Sequence, residues 1–337
     1  MTTVWIDSPG HLALRASTPA APGPGEALVR VAWAGICGSD REILRGTRPA
    51  SYVTYPVVPG HEWSGTVTAV GPGVDGALVG RAVVGEGFRA CRMCGPCWQG
   101  DTNLCDGPYD ETGFTRAGAW ADELVVPAAL LHPLPDGTDL RAAAVLEPAA
   151  CSAAACLRAA PVPGTRIAVV GAGTLGLLAL QLLAAGGPDE LIAIDPRSGR
   201  DELATACGAT ATISPLQAGA QPWRGRFDAV VETAGAPGSA LLATTLARRG
   251  ATVVLTGLAA RDDSPLPPID LVTNQLTVHT VFGAPSRAWT HAVRAFTSGM
   301  LRPDLVISHD LPLRDVDRAF ELLDGGGPGV TKILLSP

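Results

Sequence analysis

The sequence of 337 residues is poor in lysine and has no runs of basic residues. Lys332 is the only lysine, so arginine carries nearly all of the positive charge, and the formal net charge is −7. The absence of Lys/Arg clusters argues against nucleic acid and anionic membranes as partners. Residues 1–10 have neither a basic start nor an apolar run, so no secretory signal is predicted and a reducing, cytoplasmic location is expected. The expected partner is a small molecule.

Long apolar runs are also scarce, and the longest uncharged stretch is not typical of a membrane span. Residues 167–187 lack charge for about 21 positions, which is the length of a spanning helix. However, a short β-branched run is followed by three glycines and then by an apolar segment of helical length. This pattern predicts a strand, a turn and a helix.

The first 140 residues differ in pattern from the rest. Short apolar runs separated by Pro/Gly turns predict a β-rich domain of short strands. From residue 166 onward, strands alternate with helical segments, as in a parallel sheet wrapped by helices. With 47% hydrophobic residues, the chain can bury a large core and is long enough for two domains. The sequence therefore predicts an α/β protein with a boundary near residues 161–164. The predicted β-rich strands are residues 26–34, 63–70, 81–86 and 121–126.

A glycine fingerprint opens the second part. Three glycines follow the strand predicted at residues 167–170 and begin the helix predicted at residues 175–185. In a Rossmann unit such glycines permit a tight turn, the approach of a pyrophosphate and close helix–strand packing, while the helix N-terminus offers N–H groups. The residues expected to bind a dinucleotide here are Gly171, Gly173, Thr174, Leu175 and Gly176.

An acidic residue beyond the fingerprint favours NAD over NADP. Asp195 ends the next apolar run, 19 residues after Gly176, where a carboxylate can accept hydrogen bonds from the adenosine ribose. The same carboxylate repels a 2′-phosphate, although Arg197 and Arg200 are close enough to soften the preference. Further strands are predicted at residues 227–232, 251–255 and 276–282, and a helix is predicted at residues 239–248. The residues at the ends of these strands are candidates for binding the nicotinamide half of the cofactor: Thr233, Thr256, Val281 and Phe282.

Four cysteines form the most specific metal motif. Cys91, Cys94, Cys97 and Cys105 have the spacing C-x2-C-x2-C-x7-C in a segment of mostly Gly, Pro and polar residues. Short loops bring four thiolates to one point around zinc, and four thiolates leave no open position, so the predicted site is structural. The metal would order a loop with little core of its own. A pair of disulfides and an iron–sulfur cluster are the alternatives.

Cysteine, histidine and acids also occur together in the β-rich part. Cys37 lies in the motif GICGSD at residues 35–40, and His61 lies in PGHE at residues 59–62. Cysteine, histidine and carboxylate are a ligand set for zinc, and a position left open for water or substrate makes such a site catalytic. We therefore expect a catalytic metal site here.

The order of these motifs resembles the zinc-dependent medium-chain dehydrogenase/reductase superfamily, essentially end to end. GICGSD, PGHE, the four-cysteine loop, LEP at residues 146–148 and the glycine fingerprint follow one another in that order. The resemblance implies two zinc ions per chain, one catalytic and one structural, and a homodimer or homotetramer. The implied domains are a GroES-like catalytic domain at residues 1–148, a Rossmann NAD-binding domain at residues 149–282, and a segment at residues 283–337 that completes the catalytic domain.

The resemblance also assigns metal ligands. Cys37 and His61 would bind the catalytic zinc, and Glu62 and Glu147 would be the third ligand and its exchange partner. Zinc would bind the alcohol oxygen and stabilise the developing alkoxide while the substrate C–H faces the nicotinamide.

A further set of residues would handle the substrate proton. Ser39 would contact the substrate alcohol, and Asp40 would orient His61. Many relatives carry a histidine five residues after the zinc cysteine, where this chain has Glu42. The resemblance therefore leaves the proton exit open between Glu42, the ribose hydroxyls and water.

Two stretches point to a substrate class. Residues 55–65 and 113–119 look like the 2-deoxy-scyllo-inosamine dehydrogenases of aminoglycoside antibiotic pathways. This likeness implies an NAD-linked dehydrogenase of a cyclitol, aminocyclitol or sugar polyol. The open alternatives are a threonine, amino-alcohol or glucose dehydrogenase and, from another class, a catalytically silent NAD-binding protein with only a structural zinc. The polar residues expected in the substrate pocket are Glu42, Thr115, Arg116 and Asp122.

Overall fold

A computed structural model of the protein describes residues 1–18, 20–258, 265–327 and 329–337. The chain divides into two compact units. The first unit comprises Met1–Glu147, Pro285–Thr297 and Ile307–Pro337, and the second comprises Pro148–Ala284 and Ser298–Val306. Residues 298–306, which the sequence analysis places in the C-terminal segment, therefore cluster with the second unit.

Strands and helices are numbered along the chain. The strands are β1 (Thr2–Ser8), β2 (His11–Ala16), β3 (Glu26–Gly35), β4 (Trp63–Val70), β5 (Ala82–Gly85), β6 (Glu123–Pro127), β7 (Leu131–Pro133), β8 (Arg166–Val170), β9 (Glu190–Ile194), β10 (Ala211–Ile213), β11 (Phe227–Glu232), β12 (Ala247–Leu255), β13 (Thr277–Thr280), β14 (Ile307–Pro312) and β15 (Lys332–Ser336). The α-helices are α1 (Gly38–Arg45), α2 (Gly95–Trp98), α3 (Leu140–Ala143), α4 (Leu146–Ala159), α5 (Thr174–Ala184), α6 (Asp201–Ala206), α7 (Pro215–Ala218), α8 (Ser239–Leu246), α9 (Pro268–Thr273), α10 (Ser286–Thr297) and α11 (Val316–Gly325).

The first unit is built on a seven-stranded sheet and a hairpin. The sheet has the order β14-β15-β3-β4-β5-β7, with β6 paired to β3, while β1 and β2 form the hairpin. Strand β15 pairs with β3 in antiparallel orientation, so the last strand of the chain lies beside the strand that leads into α1. Alternate residues of these strands face one buried apolar core, as a sheet with one covered face requires. Core members include Val31, Trp63, Leu124 and Phe320.

The second unit contains a parallel sheet of six strands in the order β10-β9-β8-β11-β12-β13. Counted from β8, this order is 3-2-1-4-5-6, which is the order of a doubly wound dinucleotide-binding sheet. The strand order reverses between β8 and β11, and ligands of such sheets bind outside the carboxyl ends of the strands at that point. The predicted fold class, a β-rich domain with a Rossmann sheet, is confirmed.

Most predicted elements of the second unit lie within one or two residues of their observed bounds, and the start of β12, at Ala247 instead of residue 251, differs most. The helix predicted at residues 239–248 ends at Leu246, because Ala247 is extended and pairs with Phe227 of β11. The strand predicted at residues 276–282 is shorter and spans Thr277–Thr280. Within the described residues, no helix combines the length and the apolar character needed to cross a membrane.

Candidate active site and metal centres

Cys37, His61 and Glu62 meet in one cluster of the first unit. The cysteine sulfur, one imidazole nitrogen and one carboxylate oxygen all lie within 4.8 Å of one another. His61 and Glu62 are buried, whereas Cys37 is half-buried. A thiolate, an imidazole and a carboxylate at this separation match the ligand chemistry of zinc, whose bonds to these atoms are about 2.0–2.3 Å long. The fold thus brings two separate sequence motifs to one point.

One carboxylate links the two motifs. Asp40 is fully buried in the first turn of α1, and its Oδ2 accepts a hydrogen bond of 2.8 Å from the backbone N–H of Cys37. Its other oxygen, Oδ1, lies 3.7 Å from Nδ1 of His61. The chain before His61 requires glycine, because Gly60 has φ of 97° and a Cβ there would lie 2.4 Å from Cδ1 of Trp120.

The imidazole of His61 is electrostatically coupled to these neighbours. Burial is the strongest single influence on its pKa and lowers it, but the nearby acidic groups of Asp40 and Cys37 together outweigh burial. The pKa of His61 is therefore well above its usual value. The acidic surroundings that favour a proton on the ring also favour a metal cation in its place, because metal and proton compete for the same nitrogen.

The single lysine of the chain pairs with the acid of the same cluster. Nζ of Lys332 lies 2.7 Å from both carboxylate oxygens of Glu62 and donates a hydrogen bond of 2.9 Å to the carbonyl oxygen of Ile36. Lys332 is 3% exposed and Glu62 is 0% exposed. Burial is the strongest single influence on the pKa of Lys332 and lowers it. The charges of Glu62 and Cys37 together raise this pKa by more than burial lowers it, so the net shift is upward. The ammonium group therefore stays charged against Glu62.

Ser39 and Glu147 complete the surroundings of the cluster. Oγ of Ser39 is buried and has no hydrogen-bond partner among the described residues. Glu147 lies in the first turn of α4 and is close enough for its charge to raise the pKa of Lys332. An orphaned buried hydroxyl beside soft and hard metal ligands fits a site that takes a zinc ion and an oxygen-bearing substrate.

The four loop cysteines form a second cluster. The sulfurs of Cys91, Cys94, Cys97 and Cys105 all lie within 4.8 Å of one another, with 3.9 Å between Cys91 and Cys97 and 4.0 Å between Cys94 and Cys105. All four are free thiols and not disulfides. Sulfurs bound to one zinc at about 2.3 Å in a tetrahedron are about 3.8 Å apart, which matches. Backbone N–H groups of Cys91 and Gly107 donate to the sulfur of Cys105 and lower its pKa, which favours the thiolate that zinc needs.

The glycine fingerprint forms the turn between β8 and α5. Gly173 is the N-cap of α5, and no side chain caps this helix. A Cβ at Gly173 would meet nothing within 4 Å, so the backbone is open to an approaching pyrophosphate. A Cβ at Gly176 would lie 1.7 Å from the carbonyl oxygen of Gly171, so only glycine lets the helix pack this closely. The turn fits a dinucleotide phosphate at a helix N-terminus; Thr174 and Leu175 are the first helical residues.

Asp195 lies at the end of β9 and is held on two sides. Ala172 N–H donates to its Oδ2 at 2.7 Å, and Arg197 donates to both of its oxygens through Nε and Nη2, each at 2.8 Å. Burial, the strongest influence, raises the pKa of Asp195, but these hydrogen bonds outweigh it and hold the pKa below its usual value. Arg200 is 1% exposed, and burial lowers its pKa. Arg197 is thus the basic residue that neutralises Asp195.

The other predicted cofactor residues lie at the carboxyl ends of strands, as expected. Oγ1 of Thr233 donates to the carbonyl oxygens of Val170 and Gly171, and Oγ1 of Thr256 donates to that of Glu232. These hydroxyls therefore join neighbouring strand ends. Val281 and Phe282 follow directly after β13, and the Phe282 side chain is exposed. Glu232, which the sequence analysis did not single out, accepts three backbone hydrogen bonds; the donors are Ala234, Gly235 and Gly257.

The residues predicted for the substrate pocket have different hydrogen-bond and ion-pair partners in the structure. Glu42 receives a hydrogen bond of 3.2 Å from Nη1 of Arg48. Arg116 is mostly exposed and pairs with Asp110, which also accepts a hydrogen bond from Thr115. Asp122, also predicted for the pocket, accepts a hydrogen bond from the backbone of Thr2.

Sequence reasoning missed three buried polar residues of the first unit. Lys332 and Glu111 are 3% and 5% exposed, and the side chain of Arg48 is 6% exposed. Lys332 pairs with Glu62, and Arg48 lies against the ring of Phe114, which packs on His61. A single lysine in a chain that otherwise uses arginine was a compositional signal for Lys332. No spacing rule marks Arg48 or Glu111, because their partners are set by the tertiary structure.

Comparison with known proteins places this arrangement in a family. Residues 23–136 match the alcohol dehydrogenase GroES-like domain, and residues 174–298 match the zinc-binding dehydrogenase domain. A probable zinc-binding alcohol dehydrogenase of Mycobacterium tuberculosis is 32% identical over 327 residues, which covers 95% of this chain and 84% of that protein. The chain belongs to the zinc-dependent medium-chain alcohol/polyol dehydrogenase superfamily. This zinc-dependent dehydrogenase is also 31% identical to D-xylulose reductase A of Aspergillus niger over 326 residues, covering 91% and 89% of the two chains.

Solved structures of other dehydrogenases share the fold over nearly their whole length. A zinc-binding dehydrogenase of Sinorhizobium meliloti bound to NADP superposes with a TM-score of 0.91 at 30% identity, covering 100% of this chain and 99% of that one. An alcohol dehydrogenase of Escherichia coli CFT073 complexed with NADH gives a TM-score of 0.90 at 27% identity, with the same coverage. The predicted family and enzyme class, a zinc-dependent alcohol dehydrogenase that uses a nicotinamide dinucleotide, are confirmed.

Proposed function

We propose that this zinc-dependent dehydrogenase transfers a hydride between NAD and a secondary alcohol of a cyclitol, aminocyclitol or sugar polyol. The observation that carries the proposal is the cluster of Cys37, His61 and Glu62 with the unpartnered hydroxyl of Ser39 beside it. A silent binding protein has no use for an orphaned buried hydroxyl next to a metal-ligand set. The polyol class is supported by the relative named D-xylulose reductase, and the cyclitol class rests on residues 55–65 and 113–119.

Two groups of residues would hold zinc. Cys37, His61 and one glutamate would hold the catalytic ion, and the four loop cysteines would hold the structural one. Because Lys332 occupies both oxygens of Glu62, we assign Glu147 as the resting third ligand and Glu62 as its exchange partner. Bound zinc supplies a Lewis acid that favours loss of the alcohol proton, and bound NAD supplies the hydride acceptor.

The residues around the metal site place the alcohol and its proton. Oγ of Ser39 would accept the hydrogen bond of the substrate hydroxyl and relay its proton: as it receives that proton, it would pass its own hydroxyl proton to a ribose hydroxyl or to water, while the C–H hydride goes to the nicotinamide. Asp40 keeps the His61 ring and the Cys37 backbone in fixed positions. Oε2 of Glu42 accepts a hydrogen bond from Nη1 of Arg48, so this oxygen is already engaged within the protein. The proton therefore leaves through the ribose hydroxyls or water.

The cofactor assignment follows the carboxylate at the end of β9. A dinucleotide pyrophosphate would lie on the turn at Gly171–Gly176, and the adenosine ribose hydroxyls would donate to Asp195. Arg197 already engages both Asp195 oxygens, so its charge is used within the protein. We therefore assign NAD as the preferred cofactor and NADP as the weaker one.

The test is a panel of alcohols offered to the zinc-loaded protein with NAD or NADP. Nicotinamide reduction is followed with 2-deoxy-scyllo-inosamine, inositols, sorbitol, glucose and threonine, and zinc is counted per chain. The proposal is supported if the protein oxidises a ring polyol or an open-chain polyol with NAD and contains two zinc ions per chain. Ser39→Ala should retain two zinc ions and lose most of the activity. One zinc per chain with no turnover of any alcohol would refute the proposal in favour of the silent protein, and preferred turnover of threonine or glucose would refute the substrate class alone.

A further inference from the structure

Glu111 is a buried carboxylate of the first unit with an incomplete set of hydrogen-bond donors. Its side chain is 5% exposed, and its Oε2 accepts a hydrogen bond from the hydroxyl of Tyr109. Among the described residues, no protein group donates to its Oε1. The ionised form of the carboxylate, which a neighbouring cation or ammonium group favours, has about four acceptor positions, and burying that form is costly unless they are filled. Oε1 is not one of the fully buried polar atoms that lack a partner in the described part of the chain, so water or a ligand can reach it and supply the missing donor.

The space beside the unfilled oxygen is kept open by glycine. A Cβ at Gly87 would lie 2.8 Å from Oε1 of Glu111. Any other residue at position 87 would therefore cover this oxygen. The backbone around Glu111 is fixed, because its N–H donates to Thr115 and its carbonyl oxygen accepts from the N–H groups of Thr115 and Arg116. The carboxylate is thus held in place next to an uncovered space.

Arg48 sets the direction of the hydrogen bond from Tyr109. Nη2 of Arg48 donates to the Tyr109 hydroxyl at 3.2 Å, so that hydroxyl can direct its own proton only to Glu111. Arg48 is fixed in turn, since its guanidinium lies 4.2 Å from the ring centroid of Phe114 and bonds Glu42. Tyr109 and Arg48 are positioning residues that aim Glu111 without forming an ion pair with it.

Glu111 belongs to the surroundings of the metal-ligand cluster. Phe114, three residues along the chain, packs against the His61 ring with 4.8 Å between centroids. Burial is the main cause that raises the Glu111 pKa to about 8, while the charge of His61 lowers it and that of Glu147 raises it. The carbonyl oxygen of Glu111 accepts a hydrogen bond from the N–H of Phe114, so Glu111 belongs to the segment that packs against the proposed metal ligand His61.

We propose that Glu111 is a specificity-determining residue that accepts a hydrogen bond from a second polar group of the substrate, a hydroxyl or an ammonium group next to the oxidised carbon. This inference rests on the proposed function, because it places a second recognition point beside the proposed catalytic metal. A site built to receive such a donor discriminates against an alcohol that lacks it, since the carboxylate then stays buried without a partner. Polyols and amino alcohols are therefore preferred over simple alcohols.

A minimal ring series tests the inference with matched substrates. Cyclohexanol offers only the oxidised hydroxyl, trans-cyclohexane-1,2-diol adds a second hydroxyl, and trans-2-aminocyclohexanol adds an ammonium group. Values of kcat/KM are measured with NAD for the zinc-loaded wild type, Glu111→Leu, Glu111→Gln and Tyr109→Phe. The control is Glu321→Gln, the same loss of charge at an exposed position of α11. Zinc content and thermal unfolding show that each variant is folded and loaded.

The expected effects are selective for the second polar group. Glu111→Leu should lower kcat/KM for the preferred diol or amino alcohol by about 10- to 100-fold and leave cyclohexanol within about threefold. Glu111→Gln should retain the diol but lose the amino alcohol if an ammonium group is recognised, because an amide accepts a hydrogen bond without a charge. Tyr109→Phe should raise KM for the preferred substrate with little change in kcat, since it alters only the orientation of Glu111. Glu321→Gln should match wild type throughout.

Two results would overturn the inference, and they are distinguishable. If the wild type oxidises the ring alcohols but Glu111→Leu and Glu111→Gln change all three substrates equally or not at all, Glu111 recognises no substrate group while the proposed function stands. If the wild type oxidises neither these alcohols nor the polyol panel, the proposed function fails and this inference fails with it.

Discussion

The buried pair of Lys332 and Glu62 makes a quantitative prediction about stability and metal binding. Lys332→Met keeps the length of the side chain but removes the ammonium that lies 2.7 Å from both Glu62 oxygens. Glu62 is 0% exposed, so water cannot replace the lost charge. Removing one partner of a buried ion pair costs about 3–5 kcal/mol, because the other charge is left uncompensated. We expect this loss in the zinc-free protein.

Zinc should offset a large part of this loss. In Lys332→Met the uncompensated carboxylate lies within 4.8 Å of the Cys37 and His61 ligand atoms, where a divalent cation replaces the missing positive charge. Stabilisation by a ligand grows with its affinity for the folded state, and a tenfold gain in affinity adds about 1.4 kcal/mol. Zinc should therefore stabilise the variant more than the wild type by at least this amount.

The assay is urea unfolding followed by tryptophan fluorescence, with and without zinc. Six of the seven tryptophans lie in the first unit, so the signal reports mainly on the unit that contains the pair. Arg318→Met, a similar loss of positive charge at an exposed position of α11, is the matched control and should change the free energy of unfolding by less than about 0.5 kcal/mol. Glu62→Leu/Lys332→Met should recover at least half of the loss, since no buried charge remains.

The reasoning would be refuted by a small effect. A loss below about 1 kcal/mol in zinc-free Lys332→Met would mean that solvent or a rearranged neighbour compensates Glu62. Equal stabilisation of both proteins by zinc would mean that Glu62 does not contribute to the metal site, and Glu147 would then be the sole carboxylate ligand.

Four further predictions follow from single residues. Cys97→Ser should lose one zinc per chain and several kcal/mol of stability, measured by metal analysis and urea unfolding; retention of both ions contradicts a structural site. Asp195→Ala should raise the NADP/NAD ratio of kcat/KM by about 10- to 100-fold, because it removes the ribose-binding carboxylate and frees Arg197 to pair with a 2′-phosphate; an unchanged ratio excludes that role. The Glu111 pKa is raised from 4.5 to about 8, so the folded zinc-free protein binds the extra proton. The stability that this proton contributes is complete below pH 4.5 and is lost as the pH rises through 8, a loss of up to about 4–5 kcal/mol. Unfolding measured over this pH range should show the loss in the wild type and not in Glu111→Gln. An amine-specific reagent should label the α-amino group of the native chain but not Lys332, which is 3% exposed; mass spectrometry of native and urea-unfolded protein measures this difference.

Local patterns were predictable because their geometry depends on a few neighbouring residues. The four-cysteine spacing confines its sulfurs to a short loop, and the glycine fingerprint fixes the turn between β8 and α5. Strand positions followed from apolar runs bounded by Gly and Pro. The end of α8 was misplaced because Ala247 is extended by its pairing with Phe227, a distant contact that local helix propensity does not register.

The assembly of the active-site region was only partly predictable. Resemblance to a family suggested that Cys37, His61 and Glu62 meet, although composition and spacing alone do not bring two separate turns together. The partner of Glu62 lies 270 residues away, because β15 at the end of the chain pairs with β3 near its beginning. No sequence motif encodes that pairing.

The sequence by itself determined the four-cysteine motif, the dinucleotide turn and the α/β fold class, since each depends on short-range spacing and apolar periodicity. Only the tertiary structure decided which buried charges are compensated. Lys332 neutralises Glu62, and Arg197 neutralises Asp195. Arg48 donates a hydrogen bond to Tyr109, which donates to one oxygen of Glu111. The reason is that the free energy of a buried charge depends on which side chains from distant segments surround it, and sequence separation does not report that distance.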